Sequence, residues 1–466
     1  MVFSSMTFLY YFLPVVLLAY FVAPRKVKNG VLLLASLFFY AWGEPKYIVL
    51  MSVTVLIGYF CALMIESRRG KISGKIALVV ALICCLGILG VFKYFNFFVS
   101  GFNKVTGLSV GFLNVTLPIG ISFYTFQLIS YVVDVYRGTL NAEKNFLNLF
   151  TYVVMFPQLI AGPIVRYQDV VSDLETRKHS IPMVREGILR FVIGLGKKVL
   201  IANQLGELAD TYLEVQDTSV LFAWVCAIAS ALQIYFDFSG YSDMAIGIGK
   251  ILGFRFPENF NYPYISSSIT EFWRRWHMTL GGWFRDYVYI PLGGSRVKSG
   301  RLVFNLLIVW MLTGLWHGAS INFVLWGMFF GVLLIAEKLF LLPYIEKAKV
   351  FNHIYVLLAV IISFVIFDAA NISQAGNMLA DMFGIGGTPF ITDESIYHIV
   401  SYGFTLFVAI IGATPLVKHL SVKAMSVAEK YKLDAVLEAV VLGLIFIIAT
   451  AHLVDGSFNP FLYFRF

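Results

Sequence analysis

Charge is what this chain of 466 residues has least of. Charged residues make up 13% of it, about half the roughly 25% of an ordinary soluble domain. Hydrophobic residues make up 59%, and mean hydropathy is +0.80. One soluble core cannot hide that much apolar mass. The composition therefore excludes a soluble enzyme, a disordered chain and a nucleic-acid binder. Cysteine is scarce as well. Cys61, Cys84, Cys85 and Cys226 all lie inside apolar runs without metal-ligand spacing, and they read as packing residues. No Walker loop, dinucleotide fingerprint, zinc motif or Gly-x-Ser-x-Gly elbow occurs. Without an ATP motif, and with few acids in its apolar runs, the chain is a poor fit to a pump.

What remains is a polytopic membrane protein. A helical crossing needs ~20 mostly apolar residues. Such runs lie near 3–23, 30–42, 47–65, 76–100, 116–136, 146–165, 187–205, 219–238, 302–317, 320–342, 353–370, 396–417 and 435–453. The run 30–42 is short, and 146–165 and 302–317 suit re-entrant segments equally well. The first run lacks a basic leader and a small-residue cleavage site, so it reads as a retained span. The runs are continuous and not alternating. This predicts an all-α membrane protein of roughly 10–13 transmembrane helices and no β-barrel.

Basic loops set the orientation. Arg25, Lys26 and Lys28 close the first loop, and Arg68, Arg69, Lys71 and Lys75 fill the third. With basic loops inside, both the N-terminus and the tail 455–466 fall outside. The expected layout is a single membrane domain over 1–466. Its segment 240–301 shows no clean span. There Arg274, Arg275, Arg285 and Arg296 alternate with Trp273, Trp276, Trp283 and Tyr287, and Pro257, Pro263 and Pro291 break any long helix. That mixture suits an interfacial or re-entrant stretch on the cytoplasmic side.

Two histidines stand out among the seven. His317, in Thr-Gly-Leu-Trp-His-Gly-Ala, is flanked by long apolar runs. Ionisable groups at membrane depth are functional candidates by default, and a neutral imidazole can take a proton from a hydroxyl near neutral pH. A histidine bridging two helices by hydrogen bonds fits the same position. His277, in Phe-Trp-Arg-Arg-Trp-His-Met, is either the polar tip of an aromatic belt or a second catalytic or orienting group. On a helix, Trp273, Trp276 and His277 share a face, as do Glu271 and Arg274 or Arg275. Asp237 and Asp243, in Phe-Asp-Phe-Ser-Gly-Tyr-Ser-Asp, either pair with nearby arginines or contact substrate.

Several segments carry a resemblance. They are Leu-Pro-Ile-Gly-Ile-Ser-Phe-Tyr-Thr-Phe-Gln (117–127), Phe-Pro-Gln-Leu-Ile-Ala-Gly-Pro-Ile-Val-Arg (156–166) and the aspartate segment 236–243. Phe-Arg-Phe-Pro-Glu-Asn-Phe-Asn-Tyr-Pro-Tyr (254–264) and the histidine segments 272–280 and 314–319 continue the series. The chain resembles the membrane-bound O-acyltransferase (MBOAT) family, and within it the bacterial branch of alginate O-acetyltransferases, over essentially its whole length. The resemblance implies a ring of helices around a central funnel. It implies acetyl-CoA as cytoplasmic acyl donor, with no bound cofactor. It also implies an extracytoplasmic SGNH-type acetyltransferase partner and a polysaccharide acceptor.

The family's near-invariant histidine falls on His317 and its second on His277. Trp316, Trp273, Trp276, Arg274, Arg275, Asp237 and Asp243 complete the expected substrate contacts, and Arg274, Arg275, Arg285 or Arg296 would meet the phosphates of the donor. His277 would polarise the thioester carbonyl or hold the donor. The ending Phe461-Leu462-Tyr463-Phe464-Arg465-Phe466 resembles the Phe-x-Tyr-x-x-Phe ending of a small membrane partner in the related D-alanyl transfer system. This makes Tyr463 a candidate acyl carrier, against the alternative of an aromatic interface anchor. A phenol of pKa ~10 needs general-base help at neutral pH. Acetyl supply to peptidoglycan or a secondary wall polymer remains an alternative, as does a transporter, flippase or scaffold without covalent chemistry.

Overall fold

The computed structural model describes residues 1–160, 162–215, 217–456 and 461. It packs as two compact units, Met1–Phe191 with Met244–Glu258, and Val192–Asp243 with Asn259–Phe466. Helices of membrane length occur in both, and no strand occurs among the described residues.

The first unit holds α1 (Leu13–Val22), α2 (Lys28–Gly43), α3 (Tyr47–Ser67), α4 (Ile72–Leu89), α5 (Phe95–Thr106), α6 (Ile121–Arg137), α7 (Phe146–Val154), α8 (Phe156–Leu159), α9 (Tyr167–Thr176) and most of α10 (Ile181–Gly196). Helix α6 is its centre. Nearly every residue from Ile121 to Val135 is buried, the mark of a helix surrounded on all sides. The chain enters α6 through Gly120, whose φ is +74°. A Cβ there would stand 2.6 Å from the Leu159 carbonyl oxygen, so glycine is required both for the left-handed backbone and for the close approach.

The second unit begins in the last turn of α10. The helix widens into a π-turn over Lys197–Ala202 before α11 (Asn203–Thr211). Then come α12 (Val220–Ile251), α13 (Ile269–Arg275), α14 (Met278–Phe284), α15 (Ser299–His317), α16 (Ile321–Ala336), α17 (Leu342–Ile345), α18 (Phe351–Asp368), α19 (Ile372–Met382), α20 (Asp393–Gly412), α21 (Leu416–Lys430) and α22 (Asp434–Asp455). The end of α12, from Met244, belongs to the first unit. Helix α12 has 72% of its apolar window buried, against 6% for α22. The former is core and the latter presents its apolar surface outward, as a lipid-facing helix does.

Eight described helices are long and apolar enough to cross a membrane. They include Ser299–His317, one of the two runs that suited a re-entrant segment. The other, 146–165, forms no single helix of membrane length: it breaks at Met155 into α7 and α8, with Pro157 in the first turn of α8. The reading of 240–301 as free of a span needs correcting at its start. Helix α12 continues thirteen residues past 238, to Ile251. Ser239, Gly240, Ser242 and Asp243 lower the hydropathy there without breaking the helix. Gly240 lets α10 close in, since a Cβ on it would stand 2.8 Å from the Gly194 carbonyl oxygen. The remainder of the segment is broken as expected, into a 3-10 turn at Pro263–Ile265, two seven-residue helices and a π-turn.

Candidate active site

The site lies within the second unit and starts from a helix pair. Gly314 of α15 and Gly327 of α16 touch, and a Cβ on Gly314 would come within 3.4 Å of the Gly327 Cα and collide with the Phe323 carbonyl. Only glycines allow this approach. It brings the end of α15 against the start of α16, and His317 is the last residue of α15. The imidazole is 5% exposed. Trp316 and Trp326 have ring centroids 5.0 Å from it and Phe367 5.2 Å, all edge-on.

Helix α13 brings the second histidine. Its first turn is held by a buried carboxylate: Glu337 accepts from the backbone N–H of Ile269 at 2.6 Å and of Thr270 at 2.8 Å, and from the Thr270 hydroxyl at 2.6 Å. A carboxylate satisfies the orphan donors of a helix start and its dipole. Ser268 caps the same end by accepting from the Glu271 N–H. The helix stops at Arg275, because Trp276 turns extended and His277 adopts a left-handed backbone with φ +43°. A non-glycine residue there carries strain that the surroundings must hold. The Asn259 carbonyl helps by accepting from Met278 N–H at 3.0 Å.

The Asn259 side chain sets the tautomer of His277. Its Oδ1 accepts from the Thr279 hydroxyl at 2.9 Å and the Thr279 backbone N–H at 3.4 Å. A backbone N–H only donates, so this atom is the amide oxygen. His277 Nδ1 lies 3.1 Å from the same oxygen and must carry the proton. Nε2 therefore bears a lone pair, and it is buried without a hydrogen-bond partner. Burial pushes the imidazolium form down to a pKa of about 3, so the ring is neutral at physiological pH.

These residues form one contiguous group. His277 is 5.8 Å from Trp316, centroid to centroid, and Trp316 is next to His317. Trp326 touches His317 on one side and Trp273 at 5.6 Å on the other. Trp276 stacks on Phe272 at 5.5 Å. The expected residues His317, His277, Trp316, Trp273 and Trp276 are thus brought together. Arg274 and Arg275 separate in role. Arg275 is paired with Glu271 at 2.9 Å, whereas Arg274 is exposed. Asp237 and Asp243 pair with lysines: Lys198 at 2.6 Å and Lys197 at 2.7 Å, both from the π-turn. Among the described residues no three metal-ligating side chains converge.

Tyr463 lies outside the described residues. Phe461 lies within them, buried, stacked on Tyr241 at 4.8 Å and 5.9 Å from Phe238. Phe238 in turn packs edge-on against His277 at 4.7 Å. Sequence reasoning missed Asn259, Phe238 and Glu337. A signal existed for Glu337, a lone acid at the end of the apolar run 320–342.

Many membrane helices, with two buried imidazoles flanking one tryptophan, describe a multi-pass membrane protein with ionisable groups at its core. The family model of membrane-bound O-acyltransferases matches residues 142–372. The probable alginate O-acetylase AlgI of Azotobacter vinelandii is 39% identical over 499 residues, covering 100% of both chains. The peptidoglycan O-acetyltransferase of Helicobacter pylori is 34% identical over 87% of each chain. The teichoic acid D-alanyltransferase of Bacillus subtilis is 30% identical over 48% of this chain and 59% of its own. The chain belongs to the membrane-bound O-acyltransferase family. Covalent acyl transfer therefore takes precedence over the transporter and scaffold readings.

Proposed function

We propose that this enzyme takes acetyl groups from acetyl-CoA at the cytoplasmic side of the bacterial inner membrane and delivers them for O-acetylation of an extracytoplasmic polysaccharide. Both chain termini lie outside in this reading. The carrying observation is the pair of buried histidines on either side of Trp316. Relatives named for alginate, peptidoglycan and teichoic acid support a polymer acceptor. Full-length similarity favours an alginate-like or other exopolysaccharide, and the Helicobacter pylori relative supports peptidoglycan as the second reading.

His317 is the general base. It takes the proton of an acceptor hydroxyl, the oxygen attacks the thioester carbonyl, and the C–S bond breaks. The imidazolium then returns the proton to the leaving thiolate, which departs as CoA. While charged, that imidazolium sits at the C-terminal end of α15, where the helix carbonyls favour a cation. Of the two roles expected for His277, holding the donor fits its tautomer better than polarising the carbonyl. With its proton committed to Asn259, Nε2 can only accept, so the ring holds an N–H or O–H of a substrate and does not polarise the carbonyl. Arg274, exposed, meets the donor's phosphates.

Tyr463 is the proposed acceptor. Phe461 is one ring removed from His277 through Phe238, and two extended residues reach about 7 Å further. The acetyl ester on its phenol oxygen then passes to a serine of an SGNH-type partner. The test uses full-length protein in vesicles with isotope-labelled acetyl-CoA and no partner, read by peptide mass spectrometry. Acetyl on the 455–466 peptide of wild type and its absence from Tyr463→Phe are expected. Equal labelling of Tyr463→Phe removes Tyr463 from the pathway. CoA release, followed in parallel, judges acyl transfer separately.

A further inference from the structure

The first unit contains a cavity of about 530 Å³ whose wall includes Arg25, Lys26, Lys28, Arg177 and His179. Among the described residues, Glu175 is the one acid lining it. Arg177 is 8% exposed. Its Nη1 donates to the Tyr20 hydroxyl at 3.0 Å and its Nε to the Asp173 carbonyl at 3.1 Å. Neither it nor Arg25, Lys26 or Lys28 has a carboxylate within ion-pair distance among the described residues. A buried guanidinium normally has such a partner.

The arrangement is built and not incidental. The Tyr20 hydroxyl donates to the Leu252 carbonyl at 2.6 Å, and a carbonyl can only accept. Its oxygen must therefore accept from both Arg177 and His179 Nε2, the latter at 3.0 Å. Lys28 Nζ donates to the Tyr20 carbonyl at 2.8 Å and sits 4.3 Å from the centre of the Tyr20 ring. One tyrosine thus fixes an arginine, a lysine and a histidine around a single space. Beside that space α1 exposes apolar side chains: Leu18, Phe21 and Val22. A basic pocket next to lipid-facing apolar residues matches an anionic lipid, headgroup in the pocket and chains along the helix.

We propose that this cavity is a binding site for an anionic phosphate group, supplied by the headgroup of a phospholipid. The guanidinium fork of Arg177 and the ammonium groups offer charge-assisted hydrogen bonds to phosphate oxygens. Its lining residues belong to the first unit and the acyl-transfer histidines to the second.

The experiment follows thermal unfolding of the delipidated full-length protein in detergent. Phosphatidylglycerol, phosphatidylcholine and inorganic phosphate are added in turn at constant ionic strength. Phosphatidylglycerol should raise the midpoint by several degrees, and phosphatidylcholine should not. The triple variant Arg25→Gln, Lys26→Gln, Lys28→Gln should lose that shift, and Arg177→Lys, which keeps the charge but not the fork, should weaken it. If the triple variant fails to fold, Lys26→Gln alone, an exposed position, and Arg177→Lys carry the test by native mass spectrometry of bound lipid. A shift with inorganic phosphate alone, lost in the variants, supports the site and assigns it to a soluble phosphate. No shift with either phosphate, an equal shift with phosphatidylcholine, or an unchanged shift in the variants overturns the proposal.

Discussion

In the first unit, Arg177 is buried beside Arg25, Lys26 and Lys28 with no carboxylate within ion-pair distance among the described residues. In the second, Lys198 and Asp237 are buried to the same degree and paired at 2.6 Å, and the two histidines sit among aromatic rings. The contrast separates two uses of an ionisable group in a membrane protein. Unbalanced charge left around a cavity marks a place for a charged ligand. Charge cancelled locally, as in the Lys198–Asp237 pair, leaves the surrounding core without an unbalanced buried charge.

Breaking the balance in the second unit should have the largest effect on stability. Asp237→Ala leaves Lys198 buried and unpaired, at a cost of about 3–5 kcal/mol. The expected outcome is a low yield of folded protein by size-exclusion chromatography. Adding Lys198→Met should recover much of it, since an apolar replacement of a buried pair is often tolerated. Next comes Glu337→Ala, which orphans the N–H groups of Ile269 and Thr270, each worth about 1–3 kcal/mol when buried and unsatisfied. Because α13 carries Trp273 and leads to His277, kcat should fall along with the melting temperature.

Gly314→Ala should cost about 1–3 kcal/mol through overpacking against Phe323, whereas Gly443→Ala, where a Cβ meets nothing within 4 Å, should be close to neutral. Smallest is Arg274→Ala. It should raise the KM for acetyl-CoA a few-fold with kcat retained, and Arg275→Ala should change stability by no more than about 1 kcal/mol.

Acidity sharpens the same comparison. The folded His277 stays neutral down to about pH 3, while the unfolded residue protonates near 6.5. Its contribution to stability is therefore complete above 6.5 and lost as pH falls from there toward 3. Melting temperatures at pH 7.5 and 5.0 should drop more for wild type than for His277→Asn.

The membrane class and the lipid-facing helices were legible because hydropathy reads continuous apolar surface, as in α3, α18 and α22. Helix α12 was cut short because Ser239, Gly240, Ser242 and Asp243 look like a loop to hydropathy. In the fold they are the small and paired residues that let α10 approach. His317 and His277 were legible as rare ionisable groups in apolar or aromatic surroundings. The tautomer of His277 was not, since it depends on Asn259, eighteen residues away, and on a left-handed backbone that no local signal announces. The lysine partners of Asp237 and Asp243 were hidden for a similar reason: they come from a π-turn in another helix.

The most direct measurement is the rate of CoA release from acetyl-CoA by purified His317→Ala, once its folding is confirmed by a wild-type elution profile and melting temperature. Loss of a positioned general base predicts a fall of about 10²–10⁴-fold. A folded variant that releases CoA within a few-fold of the wild-type rate contradicts the role of His317 as the base.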